Sequence, residues 1–210
     1  MKKNYWMTLL FTFTFLSVFS SCRMPPPQKT FKSWIELRDQ YVVKQRYDYS
    51  CGSASLATYL QYYFNDYVTE RDIVNDIVQH LSIKERNNRK MRGFSIADLE
   101  NYAKRRGYMA TVVKKIKLSQ MVNLKGPVLT LIKREGIYHF IIIRGIREDR
   151  IYIADPGCGN MRVAADVFLK QWLGIIMAIG KKGFGLPKKY PLAVQDISPV
   201  RNELDMIRFR

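Results

Sequence analysis

Histidine occurs twice and cysteine three times among 210 residues, and acidic residues number 18 against 35 basic ones. Each scarcity narrows the function. With no HExxH, no CxxC and no histidine cluster, the chain has no ligand pattern of the kind that holds zinc, so no metal or other cofactor is expected. Three cysteines are too few for a disulfide framework. The acid deficit leaves a formal net charge of +17, a field that favours anionic partners such as lipid headgroups or acidic protein. No basic motif with interleaved aromatics accompanies it, so nucleic acid is not an expected partner. No segment repeats internally. What is present, 47% hydrophobic residues, suffices to fill the core of one ordinary domain with a modest extra segment.

Long apolar runs are also missing. Lys2 and Lys3 precede Tyr5 to Ser20, sixteen residues without a charge, which falls short of the roughly 20 that a spanning helix needs. Residues 1–22 therefore read as an export signal and are kept out of the fold. Their end, Val18-Phe19-Ser20-Ser21-Cys22, resembles a bacterial lipobox, which implies cleavage before Cys22 and lipid attachment to its sulfur. On that reading the protein is an exported, periplasmic lipoprotein, held at the membrane by the lipid and by its basic surface. Residues 23–36, with Pro25, Pro26 and Pro27, form a tether and leading arm. If Cys22 is acylated, Cys51 and Cys158 are the remaining thiols.

The densest signal is Lys44 to Leu60, KQRYDYSCGSASLATYL. After Cys51-Gly52 come Ser53, Ala54, Ser55 and Ala57, small residues followed by apolar ones, the pattern of a helix packed closely against other structure. Cys51 then stands at the helix N-terminus. Unpaired N–H groups and the positive end of the macrodipole favour a thiolate there, as a nucleophile requires. Gln45 lies on the approach, where its amide N–H could join the Cys51 backbone N–H at a developing oxyanion. Taken alone, the stretch fits a small buried cysteine and a solvated glutamine as readily.

Along the rest of the chain, Phe31 to Gln40 is expected as a short helix and Tyr41-Val42-Val43 as a short strand delivering Gln45. Thr69 with Asp72 caps a helix whose Ile73, Val74, Ile77 and Val78 share one face, and His80 closes it as a partner of the helix dipole. Lys84 to Arg92 is basic and polar and reads as a loop. Ser95 caps a further helix that Gly107 stops. The second half changes to sheet: Tyr108 to Val113, Val128 to Ile132, Tyr138 to Ile146 and Ile151 to Ala154 are strands, followed by a helix from Asp166 to Trp172 and a strand from Ile175 to Ile179. Leu118 to Leu124 is a short helix. The continuous β-branched runs should be buried on both faces. Residues 181–210 form a basic tail.

His139 begins one apolar strand and Asp155 ends the next, so a hairpin brings both to one end of the sheet. Whether they share a face depends on register. A regular two-residue turn at Glu148-Asp149 would set Asp155 opposite Ile142, on the wrong face. A three-residue loop, Arg147-Glu148-Asp149 with Asp149 left-handed, or an equivalent bulge, would set it opposite Ile141, on the face of His139. In that register Asp155 accepts from one imidazole nitrogen and the other faces Cys51. The expected set is Cys51 as nucleophile, His139 as base and later acid, Asp155 as orienter and Gln45 as oxyanion donor.

Gln45-x5-Cys51-Gly52, then Tyr138-His139-Phe140, then Ala154-Asp155-Pro156 resembles the peptidase C39 family, the papain-like double-glycine leader peptidases. The likeness runs over residues 37–180 and includes Arg92-Gly93-Phe94-Ser95 and Phe168-x3-Trp172-x-Gly174. It implies an α+β papain-like fold, N-terminal helices packed on an antiparallel β-sheet. It implies a cysteine endopeptidase cleaving a secreted or exported polypeptide after a small, Gly-Gly type pair. The chain is similar to stand-alone exported members of secretion or surface-fibre systems, whose components are then possible partners. A substrate-holding module without catalysis and an acyltransferase on the same triad are the alternatives.

Overall fold

In a computed structural model of the protein, the described residues are 32–122 and 124–194. The export signal, Cys22 and the proline tether lie outside them. The first described element is α1, Trp34–Asp39, followed by α2, Cys51–Phe64, and α3, Glu70–Gln79. Next come α4, Ile83–Arg92, and α5, Ile96–Arg105. The sheet half contains β1 (Met109–Lys114), α6 (Leu118–Met121), β2 (Val128–Arg134), β3 (Ile137–Arg147), β4 (Arg150–Asp155), β5 (Gly159–Ala164), α7 (Ala165–Gln171) and β6 (Trp172–Gly180). All neighbouring strands are antiparallel, in the order β1-β6-β2-β3-β4-β5.

The helix starts follow their caps. Thr69, Ser82 and Ser95 each accept a hydrogen bond from the backbone of the residue three positions on, and Asp72, Glu85 and Asp98 answer to the cap backbone. Such boxes satisfy two N–H groups that a helix start otherwise leaves open. The Ser82–Glu85 box explains why Lys84 to Arg92 is a helix and not the loop its polarity suggests. An ion pair of 2.6 Å from Arg89 to Asp98 fastens α4 to the start of α5. Conversely, Tyr41-Val42-Val43 forms no strand. Tyr41 takes a left-handed conformation, φ 61°, and the Val43 N–H donates to the Thr58 hydroxyl, so no sheet partner is engaged. β5, which follows the Asp155 turn, has no strong alternation in its sequence and owes its existence to pairing with β4.

Apolar residues divide around the sheet. Phe140 and Ile142 of β3, with Leu129, Ala154 and Met177, pack with α2, α3 and α5 through Leu56, Leu60, Ile73, Ile77 and Leu99. Ile141, Ile143, Ile151 and Ile153 pack with Met121 and Phe168 of α6 and α7. The β3 and β4 runs are thus buried on both faces, which accounts for their unbroken apolar sequence.

Candidate active site

Cys51 opens α2 and is 6% exposed. The close packing that its small neighbours suggest is visible at Gly52, where a β-carbon would stand 2.9 Å from Leu99 Cδ1 and 3.0 Å from Phe140 Cδ2. One turn on, the Ser55 hydroxyl donates to the Phe140 carbonyl over 3.0 Å. These contacts press the start of α2 against β3 beside His139. The first N–H groups of α2 have no acceptor within the helix and so remain available to an anion.

The β3–β4 hairpin combines two features. Arg147 pairs with Arg150 across a two-residue turn in which Glu148, not Asp149, takes the left-handed conformation. The three-residue loop is therefore absent. The correction to the register comes from a bulge: Gly145 pairs with Tyr152 but Ile143 with Ile153, leaving Arg144 as an extra residue. One step past the Ile142–Ala154 pair, Asp155 falls opposite Ile141 and two residues from His139. His139 Nε2 and Asp155 Oδ1 are 2.9 Å apart, and Cys51 is near enough to the imidazole to act on its charge.

Asp155 is fully buried. Its Oδ1 also accepts from the Gly157 and Cys158 N–H groups, at 2.7 and 3.0 Å. Among the described residues Oδ2 has no hydrogen-bond donor; the Arg134 guanidinium, at the end of β2, stands 3.9 Å from it. Burial works against the carboxylate, but the hydrogen bond and charge of His139 and the two N–H donors outweigh it and hold its pKa below the ordinary value. For His139 burial likewise opposes the charged form. Asp155 and Cys51 override it and raise the imidazole to about 9, which favours the imidazolium at neutral pH.

Gln45 is fixed by its backbone, whose N–H donates to the Pro156 carbonyl over 3.0 Å and so joins the approach loop to the Asp155 turn. Its amide Nε2 donates to the Tyr47 carbonyl at 3.3 Å, which engages one of its two hydrogens. Oε1 is buried without a donor. The structure thus brings Asp155 and His139 into a hydrogen-bonded pair beside Cys51 and joins the backbone of Gln45 to the Asp155 turn. Cys158 is an exposed free thiol.

Glu70 is a residue that sequence reasoning passed over. As the first residue of α3 it looks like a dipole partner, yet it is 3% exposed. Its Oε1 accepts from the Ser50 hydroxyl and, at 2.9 Å, from the Arg46 N–H. Glu70 therefore ties down both ends of the segment between Gln45 and Cys51.

Comparison with known proteins gives the family and the fold. The sequence profile of the Peptidase C39 family matches residues 39–183, and the chain belongs to that family, cysteine peptidases by kind. It is 29% identical over 182 residues to the "Probable functional amyloid protease FapD" of Pseudomonas aeruginosa, spanning 86% of this chain and 77% of that one. To the protein of the same description from Pseudomonas fluorescens it is 33% identical, over 74% and 67% of the two chains. Among solved structures, the peptidase domain of Streptococcus ComA superposes with a TM-score of 0.57 at 16% identity, over 67% of this chain and 98% of that one. A double glycine motif protease of an AMS/PCAT transporter, in complex with the leader peptide, gives 0.54 at 21% identity, over 68% and 94%. At such identities the likeness is one of fold: helices packed on a six-stranded antiparallel sheet.

Proposed function

We propose that this protein is a cysteine endopeptidase in which Cys51 attacks the peptide carbonyl, His139 moves the proton, Asp155 orients His139, and Gln45 with the Cys51 N–H stabilises the oxyanion. The observation that carries the reading is the His139–Asp155 pair, 2.9 Å apart, set beside Cys51 at the start of α2. The Cys51 sulfur forms a bond to the carbonyl carbon and the electron pair moves to oxygen, toward the free helix N–H groups. As the C–N bond breaks, imidazolium His139 gives its proton to the leaving amine. Water then attacks the thioester, returning a proton to His139 and releasing the acid and the Cys51 thiolate.

The substrate on this reading is a secreted polypeptide cut after a small-small pair, Gly-Gly or Gly-Ala, in a surface-fibre or functional-amyloid export pathway. The support is the family membership and the two amyloid-protease relatives. The protein works outside the cytoplasm, anchored by lipid at Cys22. Its basic surface assists: α4 exposes Lys84 and Lys90 beside Ile83 and Met91, a composition suited to anionic headgroups.

Peptide-library profiling with product masses tests the reading. Fragments whose masses sum to that of the peptide plus water, cut after small pairs and absent with Cys51→Ala, are the expected result. A dominant preference for large or charged residues before the cut would remove the small-pair assignment. An added acceptor group would identify an acyltransferase, and no change in mass a binding module. Metabolic palmitate labelling of the native protein, lost in Cys22→Ser, tests the anchor.

A further inference from the structure

The family match ends at residue 183, but the chain beyond it packs on α2 and on the β3–β4 hairpin. Phe184 packs on the Tyr63 and Phe64 rings at 5.8 and 4.8 Å between centroids, and Tyr190 meets Tyr63 edge-on at 4.7 Å. Leu192 is completely buried. The segment then runs onto the β3–β4 bulge. Arg144, the extra residue, donates from Nε to the Leu192 carbonyl at 3.0 Å and from Nη2 to the Ala193 carbonyl at 3.3 Å. Its Nη1 donates to Asn160 Oδ1. Arg147 donates to the Val194 carbonyl at 2.7 Å, and a β-carbon on Gly145 would stand 3.0 Å from Val194 Cγ2.

We infer that residues 190–194 are a strap that holds the bulge at Arg144 and thereby positions Asp155 against His139. The inference rests on the reading of these two residues as a catalytic pair. A bulge leaves one residue unpaired in its ladder and re-aims its side chain. Here the guanidinium is half-buried, and the partners above are neutral oxygens, two of them strap carbonyls. Asn160, the third, donates in turn to the Arg38 and Gln40 carbonyls at 2.9 and 2.7 Å, so the same clamp reaches the end of α1 and the chain leading to Gln45. Without the strap a regular ladder can re-form, and a slip of one residue sends Asp155 to the face away from His139.

The test compares chains ending at Gly185 and at Val194 with the full chain. The readouts are kcat and KM on a cleaved peptide, and the His139 imidazole titration followed by NMR. The chain ending at Gly185 should lose at least about tenfold in kcat, with KM within about twofold, and its His139 titration should fall from about 9 toward the ordinary histidine value. The chain ending at Val194 should match the full one in both readouts. Full-length Arg144→Gln should show the same two changes in weaker form and decides the matter if the shorter chain does not fold. A folded chain ending at Gly185, or a folded Arg144→Gln protein, with unchanged kcat and unchanged His139 titration would overturn the strap. The titration needs no turnover, so absence of peptidase activity in the full chain would count against the proposed function, while the titration would still decide whether the strap positions Asp155 against His139.

Discussion

The two halves of the site are held by different means. Cys51 is positioned by a helix whose own sequence explains its placement: small residues at Gly52, Ser53, Ala54 and Ser55 allow α2 to press on β3, and the helix start supplies the free N–H groups. His139 and Asp155 are positioned by a hairpin whose register depends on one extra residue, with partners from β5 and the C-terminal strap. A local device tolerates change at a distance. A register does not, because side chains alternate with a period of two and one slip reverses every face. The cysteine half should therefore break only where it is touched, and the histidine half also from afar.

The largest effect expected is that of Cys51→Ala, which removes the proposed nucleophile from a position that already favours small residues. Turnover should drop by at least about 10⁴-fold while the unfolding midpoint stays close to that of the native protein. Full residual activity in a protein shown free of wild-type contamination would discard the mechanism. Asp155→Asn should cost on the order of 10³- to 10⁴-fold in kcat, because the amide can present the wrong partner to His139.

This second substitution also sharpens the comparison through pH. His139 is raised to about 9 in the folded protein, above its unfolded value of about 6.5. The stability contributed by its charge is therefore fully present below about pH 6.5 and is lost as the pH rises through about 9. Activity that needs the imidazolium should fall along the same basic limb. In Asp155→Asn that limb should move to lower pH, since a main cause of the raised value is gone. A limb that stays in place, measured as kcat/KM against pH, would separate Asp155 from the charge state of His139.

Gly52→Ala tests the cysteine half by packing alone. Its new β-carbon meets Leu99 and Phe140 at 2.9 and 3.0 Å, and crowding of that kind costs about 1–3 kcal/mol. A lowered denaturation midpoint is expected, with slower turnover because Cys51 shifts with the helix. His80 gives the smallest effect. It closes α3 with Nδ1 at 2.8 Å from the Asp76 carbonyl and is largely exposed. His80→Ala should change stability by no more than about 0.5–1 kcal/mol and leave kcat/KM unchanged, whereas His139→Ala removes activity. A shared loss would mean that the two histidines are not separable as described.

Much of this contrast was legible in the chain itself. The helices with Thr69 and Ser95 caps, the small-residue helix behind Cys51 and the apolar strands are short-range patterns, and each holds in the structure. The Ser82–Glu85 box was equally local, but the basic, polar run after it suggested a loop, and the anchor from Arg89 to Asp98 lies in the next helix. Glu70 carried a weak signal for a different reason: a carboxylate in the first turn of a helix is ordinary, and only burial beside Ser50 and Arg46 marks it.

By itself the sequence determined the helix that presents Cys51, the strands that carry His139 and Asp155, and the alternation rule under which an odd residue had to intervene between them. It could not determine which residue. Only the tertiary structure placed the extra one at Arg144 instead of in the turn, because a bulge is stable where something meets the group it releases. The groups that meet Arg144, the Leu192 and Ala193 carbonyls and Asn160, come from distant parts of the chain, and no periodicity connects them.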